Sequence, residues 1–226
     1  VLLGHVESLD RPKAILAVAD ATNLRRNLFL VTQLTELEIP IVLAVNMIDL
    51  AAKKGIMTDC VQLGKALGIR IVPIVASSRG GLGPLIDALT AAIHGPAPKR
   101  TILLPEVHAA AEALWQKLDT AGRRLTPYEV ERALIDAHGA AERRFELIAG
   151  ELLFAEFQDL RARLSTGSSL AAMEAKARYD LIDSLLEDVE TRSEPKMTFG
   201  DYPDRVTNNP ATTVVLFDLV MATVSQ

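Results

Sequence analysis

Apolar residues follow two patterns along this chain, unbroken runs before Gly95 and helical stripes after it. The runs at 14–19, 41–45 and 69–75 are rich in Val, Ile and Ala and largely lack polar alternation. Strands buried on both faces of a parallel sheet have that character. Between the first two runs, Leu24, Leu28, Val31, Leu34 and Leu37 keep a 3.6-residue period, predicting a helix that starts at Asn23. Pro40 ends that connection. Residues 51–56 read as a short turn through Gly55. Thr58 is then expected to cap a helix carrying Val61, Leu63, Ala66 and Leu67, stopped by Gly68. A further helix is expected from about residue 84 to 94. Strand–helix repeated three times, with connections too long for hairpins, predicts parallel pairing through right-handed crossovers.

The stretch 95–98 (GPAP) is a domain boundary by composition, and beyond it only helical patterns occur. Val107, Ala111, Leu114 and Leu118 line one stripe. Thr126-Pro127-Tyr128-Glu129 opens a second helix with a cap, a proline at the first helical position and Glu three residues on. Phe145, Ile148, Leu152 and Leu160 mark a third. Ser169 opens a fourth with Leu170, Met173, Ala177, Leu181 and Leu185. Residues 194–210 are polar and turn-rich, with Pro195, Pro203 and Pro210. Residues 211–224 are apolar except for Thr212, Thr213, Asp218 and Thr223. A bilayer-spanning helix needs about 20 apolar residues, so this stretch alone falls short. It reads as an amphipathic or core helix, or as the start of a membrane helix with Asp218 as its polar group.

Composition narrows the function classes. Hydrophobic residues make up 49% and charged residues 23%, which is globular and not disordered. A net charge of −5 argues against a broad basic surface for nucleic acid. Cys60 is the single cysteine, excluding a disulfide framework or cysteine metal cluster and fitting a reducing compartment. His5, His94, His108 and His138 show no ligand spacing. The chain opens at Val1 with no signal peptide, in what reads as the tail of a helix, as expected of a fragment cut at both ends.

The polar loops at 46–49 and 76–81 follow the second and third runs, which places both at one edge of a parallel sheet. Ligands of open α/β sheets bind at that edge. The Asp49 carboxylate offers two acceptor oxygens, matching the adjacent ring N–H and exocyclic amine of guanine, a donor pair that adenine lacks. Asn46, both donor and acceptor, can tie the loop together or touch a base edge. Small residues and glycines in the second loop let backbone N–H groups approach a carbonyl such as guanine O6. A polar strand end that merely caps the next turn is the alternative for Asn46 and Asp49.

Residues 19–28 (ADATNLRRNL), Asn46-Met47-Ile48-Asp49 and 53–56 (KKGI), taken in order, closely resemble the ferrous iron transport protein B family. These are bacterial membrane proteins with an N-terminal cytoplasmic GTP-binding domain. Residues 178–186 resemble the end of that family's helical segment, and 204–226 the approach to its first membrane helix. The resemblance implies an α/β fold, a partial Ras-like P-loop GTPase sheet of three parallel strands. An all-α helical bundle domain and a truncated membrane helix follow. It divides the chain into the C-terminal half of a GTP-binding domain (1–97), a helical regulatory, GDI-like domain (98–193), a linker (194–210) and the start of a transmembrane helix (211–226). It makes Asn46, Met47, Asp49, Ser77, Ser78 and Arg79 guanine-binding, with Asp49 on base N1 and N2 and the Ser78 backbone N–H on O6. Met47 stands where many small GTPases carry Lys. It can cover the base by packing but brings no ammonium.

No G-x-x-x-x-G-K-[ST] and no D-x-P-G occurs in the chain. GTP hydrolysis and the Mg²⁺ that accompanies GTP or GDP are therefore expected of the intact family protein and not of this chain alone. No catalytic and no metal-ligating residue is assigned. The implied function is part of a GTP-regulated ferrous iron transporter, with Fe²⁺ as the ion carried through the membrane part. The implied location is the bacterial inner membrane, with residues 1–209 cytoplasmic. Homo-oligomerisation stays open. The competing reading is a stand-alone α/β plus helical interaction module that binds no nucleotide; a P-loop strand in frame before Val1 would separate the two. Without such a strand beside it, 14–19 is expected to present an unpaired apolar edge and to make the isolated chain poorly soluble.

Overall fold

The computed structural model describes residues 10–120, 122, 124–193 and Met221. The expected linker at 194–210 and membrane-helix start at 211–226 lie outside the described residues, Met221 apart. No described helix is long and apolar enough to cross a membrane.

Three parallel strands, β1 (Ile15–Asp20), β2 (Ile41–Asn46) and β4 (Arg70–Pro73), form a sheet in the order β1-β2-β4. Ile15 stands opposite Ile41, Asp20 opposite Asn46, and Val42 opposite Arg70. Central β2 explains its own unbroken apolar run, since Val42, Leu43, Ala44 and Val45 are all fully buried. Ile41, Leu43 and Val45 face α1 (Leu24–Leu34) and α3 (Cys60–Leu67) through Leu24, Leu28, Val31 and Leu63. Val42, Ala44, Val72 and Ile74 face α4 (Leu82–Ala92) through Leu85 and Ala88. Among the described residues β1 pairs only with β2, and its Leu16 and Val18 are 42% and 60% exposed.

The expected turn at 51–56 is a helix, α2 (Ile48–Lys53), then Gly55 and a short strand, β3 (Ile56–Thr58). Thr58 is therefore a strand residue, paired with Glu190, and does not cap α3. The cap is Asp59, whose carboxylate accepts from the Val61 and Gln62 N–H groups at 3.0 and 2.9 Å. The partner of β3 is β5 (Glu190–Arg192), antiparallel and far along the chain. Where they meet, the Ser193 N–H donates to Gly55 O at 2.8 Å.

Helices α5 (Pro105–Thr120), α6 (Pro127–Ile135), α7 (Ala140–Ala149) and α8 (Glu151–Leu164) pack around a second core with the start of α9 (Leu170–Val189). The α5 stripe of Val107, Ala111, Leu114 and Leu118 is buried as its period requires. Thr126 and Glu129 form the reciprocal capping box at the start of α6, and Ser169 caps α9 by accepting from the Ala172 N–H. The expected third helix is two, because Gly150, at φ 75°, breaks it. The break takes Leu152 out of the stripe, and it is 92% exposed. Phe145 and Phe157 stack across the break with ring centroids 4.5 Å apart.

The α9 stripe also runs one residue away from the expected one. Its buried face is Leu170, Glu174, Arg178, Ile182, Leu186 and Val189. Two charged residues on that face hide it from an apolar period. Leu170 and Met173 join the helical core, whereas Ile182, Leu186 and Val189 join the core under the sheet. One helix thus belongs to both.

Candidate functional site

The two polar loops meet at the C-terminal edge of the sheet. β2 ends at Asn46, and Met47 adopts a left-handed conformation, φ 62°, that turns the chain directly into α2. The Ala51 N–H closes that turn on Met47 O at 2.9 Å. Asp49 therefore sits in the first turn of a helix, exposed to solvent, beside Met47, which is 43% exposed.

Beyond β4, the Ile74 N–H still reaches Val45 O at 2.8 Å, keeping the second loop anchored to β2. Reciprocal bonds between Val75 and Gly80, 3.0 and 3.1 Å, close a tight loop around the single 3₁₀ turn Ala76–Ser78. Arg79 is left-handed at φ 58°. Gly81, at φ 83°, lies so close to β4 that a Cβ there would stand 2.6 Å from Pro73 O. Glycine is required by both conformation and space.

The loops are joined by one bond. Asn46 Oδ1 accepts from the Ala76 N–H at 3.1 Å. Of the two roles open to Asn46, tying the loops is the one its side chain occupies. Ser77, Ser78 and Arg79 are exposed on this edge. The Ser78 N–H donates to Val75 O at 3.2 Å, and the Ser78 hydroxyl to the same carbonyl at 3.3 Å. The donor expected for a ligand carbonyl is thus engaged inside its own turn.

Asp20 shares the edge. It closes β1 in register with Asn46, and its carboxylate accepts from the Thr22 N–H at 2.7 Å. The sequence signal for Asp20 is the same as for Asn46, a polar residue ending an apolar run. A cleft of about 390 Å³ borders the first loop, lined by Ile48, Ala51, Met57, Asp59, Cys60 and Pro73 among others. Burial and the neighbouring Asp59 charge push the Cys60 thiol up, which disfavours the nucleophilic thiolate. A larger cleft, about 560 Å³, lies at the opposite ends of the strands, beside Ile41, Ile69 and Arg70. It contains none of the loop residues. No cluster of three or more metal-ligating side chains occurs among the described residues. The edge can offer an acceptor pair at Asp49, an apolar cover at Met47 and a braced second loop, which is the chemistry of recognition.

Residues 6–89 match the family model described as Ferrous iron transport protein B. Over 122 residues the chain is 39% identical to a Fe(2+) transport protein A/Fe(2+) transporter FeoB fusion protein of Porphyromonas gingivalis. That alignment covers 51% of this chain but only 14% of the relative, so the chain spans a small part of such a protein. The cytosolic domain of L. pneumophila FeoB superimposes with a TM-score of 0.65 at 27% identity, covering 81% of this chain and 70% of that one. The mGMPPNP-bound NFeoB of S. thermophilus gives a TM-score of 0.63 at 24% identity, over 82% and 70%. At that identity the second likeness concerns the fold alone.

Proposed function

The chain is FeoB-like, and on that premise we propose that it is the base-recognition half of a GTP-binding unit in a ferrous iron transporter. The observation that carries this reading is the Asn46–Ala76 bond, which braces two loops at the ligand-binding edge of the sheet. On this reading Asp49 accepts from guanine N1–H and the N2 amine, and Met47 packs on the base. The second loop, Ser77, Ser78 and Arg79, faces O6. For the Ser78 N–H to donate to O6, it must leave Val75 O. That bond is long for its kind, so the exchange is inexpensive.

GTP or GDP fits the donor and acceptor set at this edge. The nucleotide supplies the guanine face that the loops read, and its phosphates require contacts from other residues. Mg²⁺ has no cradle here, because the chain contains neither phosphate-binding nor switch motif. No hydrolytic step is assigned to these residues. The segment 98–193 acts as a regulatory, GDI-like helical domain, 194–210 as a linker and 211–226 as the start of a membrane helix. Residues 1–209 then lie on the cytoplasmic side of a bacterial inner membrane, with Fe²⁺ as cargo of the membrane part.

Competition in the natural polypeptide that carries this chain tests the base assignment. A fluorescent GDP analogue is expected to be displaced by GTP, less well by ITP, which lacks the N2 amine, and not by ATP. Equal displacement by ATP would remove the guanine site from these loops.

A further inference from the structure

The buried face of α9 carries a charge network that base recognition does not use. Arg178 heads the largest fully buried side chains and is 1% exposed. Its guanidinium donates to Glu36 Oε1 at 2.6 Å, to Thr32 Oγ1 at 3.3 Å and to Glu174 on its own helix. Thr32 lies on α1 and Glu36 just beyond it. Glu174 also accepts from Arg132 of α6 at 2.7 Å, and Arg132 forks onto Asp136 at 3.2 and 2.7 Å. Burial raises the Glu36 carboxyl more than Arg178 lowers it. For Glu174 the two guanidinium groups outweigh burial and hold it low. One hydrogen-bonded chain of charges therefore runs from α1 through α9 to α6.

The far end of α9 is fastened to the base-loop side of the sheet. Val189 O accepts from the Asp59 N–H at 2.8 Å, β5 pairs with β3, and Ser193 bonds Gly55. Lys54 and Gly55 alone separate β3 from α2, the helix that carries Asp49. α2 is thus connected to α9 through a paired strand, and α9 to α6 through Glu174 and Arg132.

We propose that Arg178 is a latch that couples occupancy of the base loops to the seating of the helical segment, an inference that rests on the guanine-site reading. A buried guanidinium cannot slide gradually between partners. Arg178 keeps Glu174, which travels with it on α9, but any intermediate position leaves the buried Glu36 without its counter-charge, which is strongly unfavourable. The α9 seat is consequently two-state, and a ligand that shifts α2 selects between seats. Arg178 acts through α9 and touches no ligand, so it is a positioning residue.

Hydrogen exchange read by mass spectrometry, with and without GDP, tests this in the natural polypeptide. In the wild type GDP is expected to protect 46–53 and 76–81, and also α6 and α9. In Arg178→Met/Glu36→Gln, which removes both charges of the pair, loop protection should persist while α6 protection is lost. Arg178→Lys keeps the charge but not the fork, and should diminish the α6 response even if the double variant does not fold. Loop protection with an unresponsive α6 in the wild type would overturn the latch, as would a full α6 response in the variants. Unprotected loops in the wild type would instead overturn the guanine-site reading on which it stands.

Discussion

Gly55 shows how much can depend on a missing side chain. A Cβ at Gly55 would lie 2.1 Å from Ser193 O, and the residue holds φ +76°. Gly55→Ala must therefore part β3 from β5 as well as strain the backbone. We expect a loss of about 2 kcal/mol or more, seen as a lower urea midpoint. Gly68, also left-handed at φ +66° but with open space around it, should cost only about 1 kcal/mol as Ala. Equal midpoints for the two variants would contradict this contrast. Gly68 was legible as a helix stop from its place after an apolar period. Gly55 was legible as a turn glycine only, because the partner that demands it stands 138 residues away. The common edge of the two polar loops was legible for the opposite reason: Asn46, Met47, Asp49 and 77–79 lie at the ends of apolar runs, where strand geometry alone puts them on one edge. What sequence could not supply was the engagement of the Ser78 N–H with Val75 O, a matter of 3₁₀ geometry.

At the scale of elements, local chemistry was readable wherever one segment supplied all of it. The α6 capping box needs only Thr126 and Glu129, and both halves are present. Thr126→Ala should cost about 1 kcal/mol in thermal unfolding, and an unchanged midpoint would show the box to be idle. The α9 stripe was displaced because Glu174 and Arg178 occupy core positions, where they pair with each other and with Thr32, Glu36 and Arg132 from elsewhere in the chain. Strand β5 was invisible, three polar or charged residues with no pattern of their own, paired solely because α9 delivers them beside β3. The β1 edge, with exposed Leu16 and Val18, carries its own consequence. Expressed alone, the chain should elute as higher-order species in size-exclusion chromatography, and Val18→Lys should shift it towards monomer. A monodisperse, soluble wild-type monomer would refute the open-edge reading.

At the scale of the whole molecule, the parallel order and the C-terminal edge followed from three apolar runs and the lengths between them. The return of α9 onto the sheet did not, since long-range polar contacts leave no periodic trace. Those contacts set the response to acid. Burial alone would raise Glu142 and Glu174. Arg161 and the His138 N–H outweigh it at Glu142, and Arg132 and Arg178 do so at Glu174, so both carboxyls lie below their ordinary value of 4.5. A carboxyl depressed by folding contributes stability above its unfolded value and loses it as pH falls through the folded one. Glu36, raised by burial, works in the opposite sense. Asp183, held low by its bond to Arg25, adds to the first sense, so with three depressed carboxyls against one raised among the described residues, stability should fall as pH drops below about 4.5. Glu142→Gln should flatten that acid limb, and an unchanged limb would remove Glu142 from it.

The most direct measurement of guanine recognition is the nucleotide preference of Asp49→Asn in the natural polypeptide. Two hydrogen bonds to a charged acceptor, at roughly 1.5–3 kcal/mol each, correspond to a loss of about two orders of magnitude or more in GTP affinity. Xanthosine triphosphate, whose second carbonyl accepts from an amide, should bind relatively better. An unchanged GTP affinity, with no gain for the xanthine nucleotide, would take Asp49 out of the site.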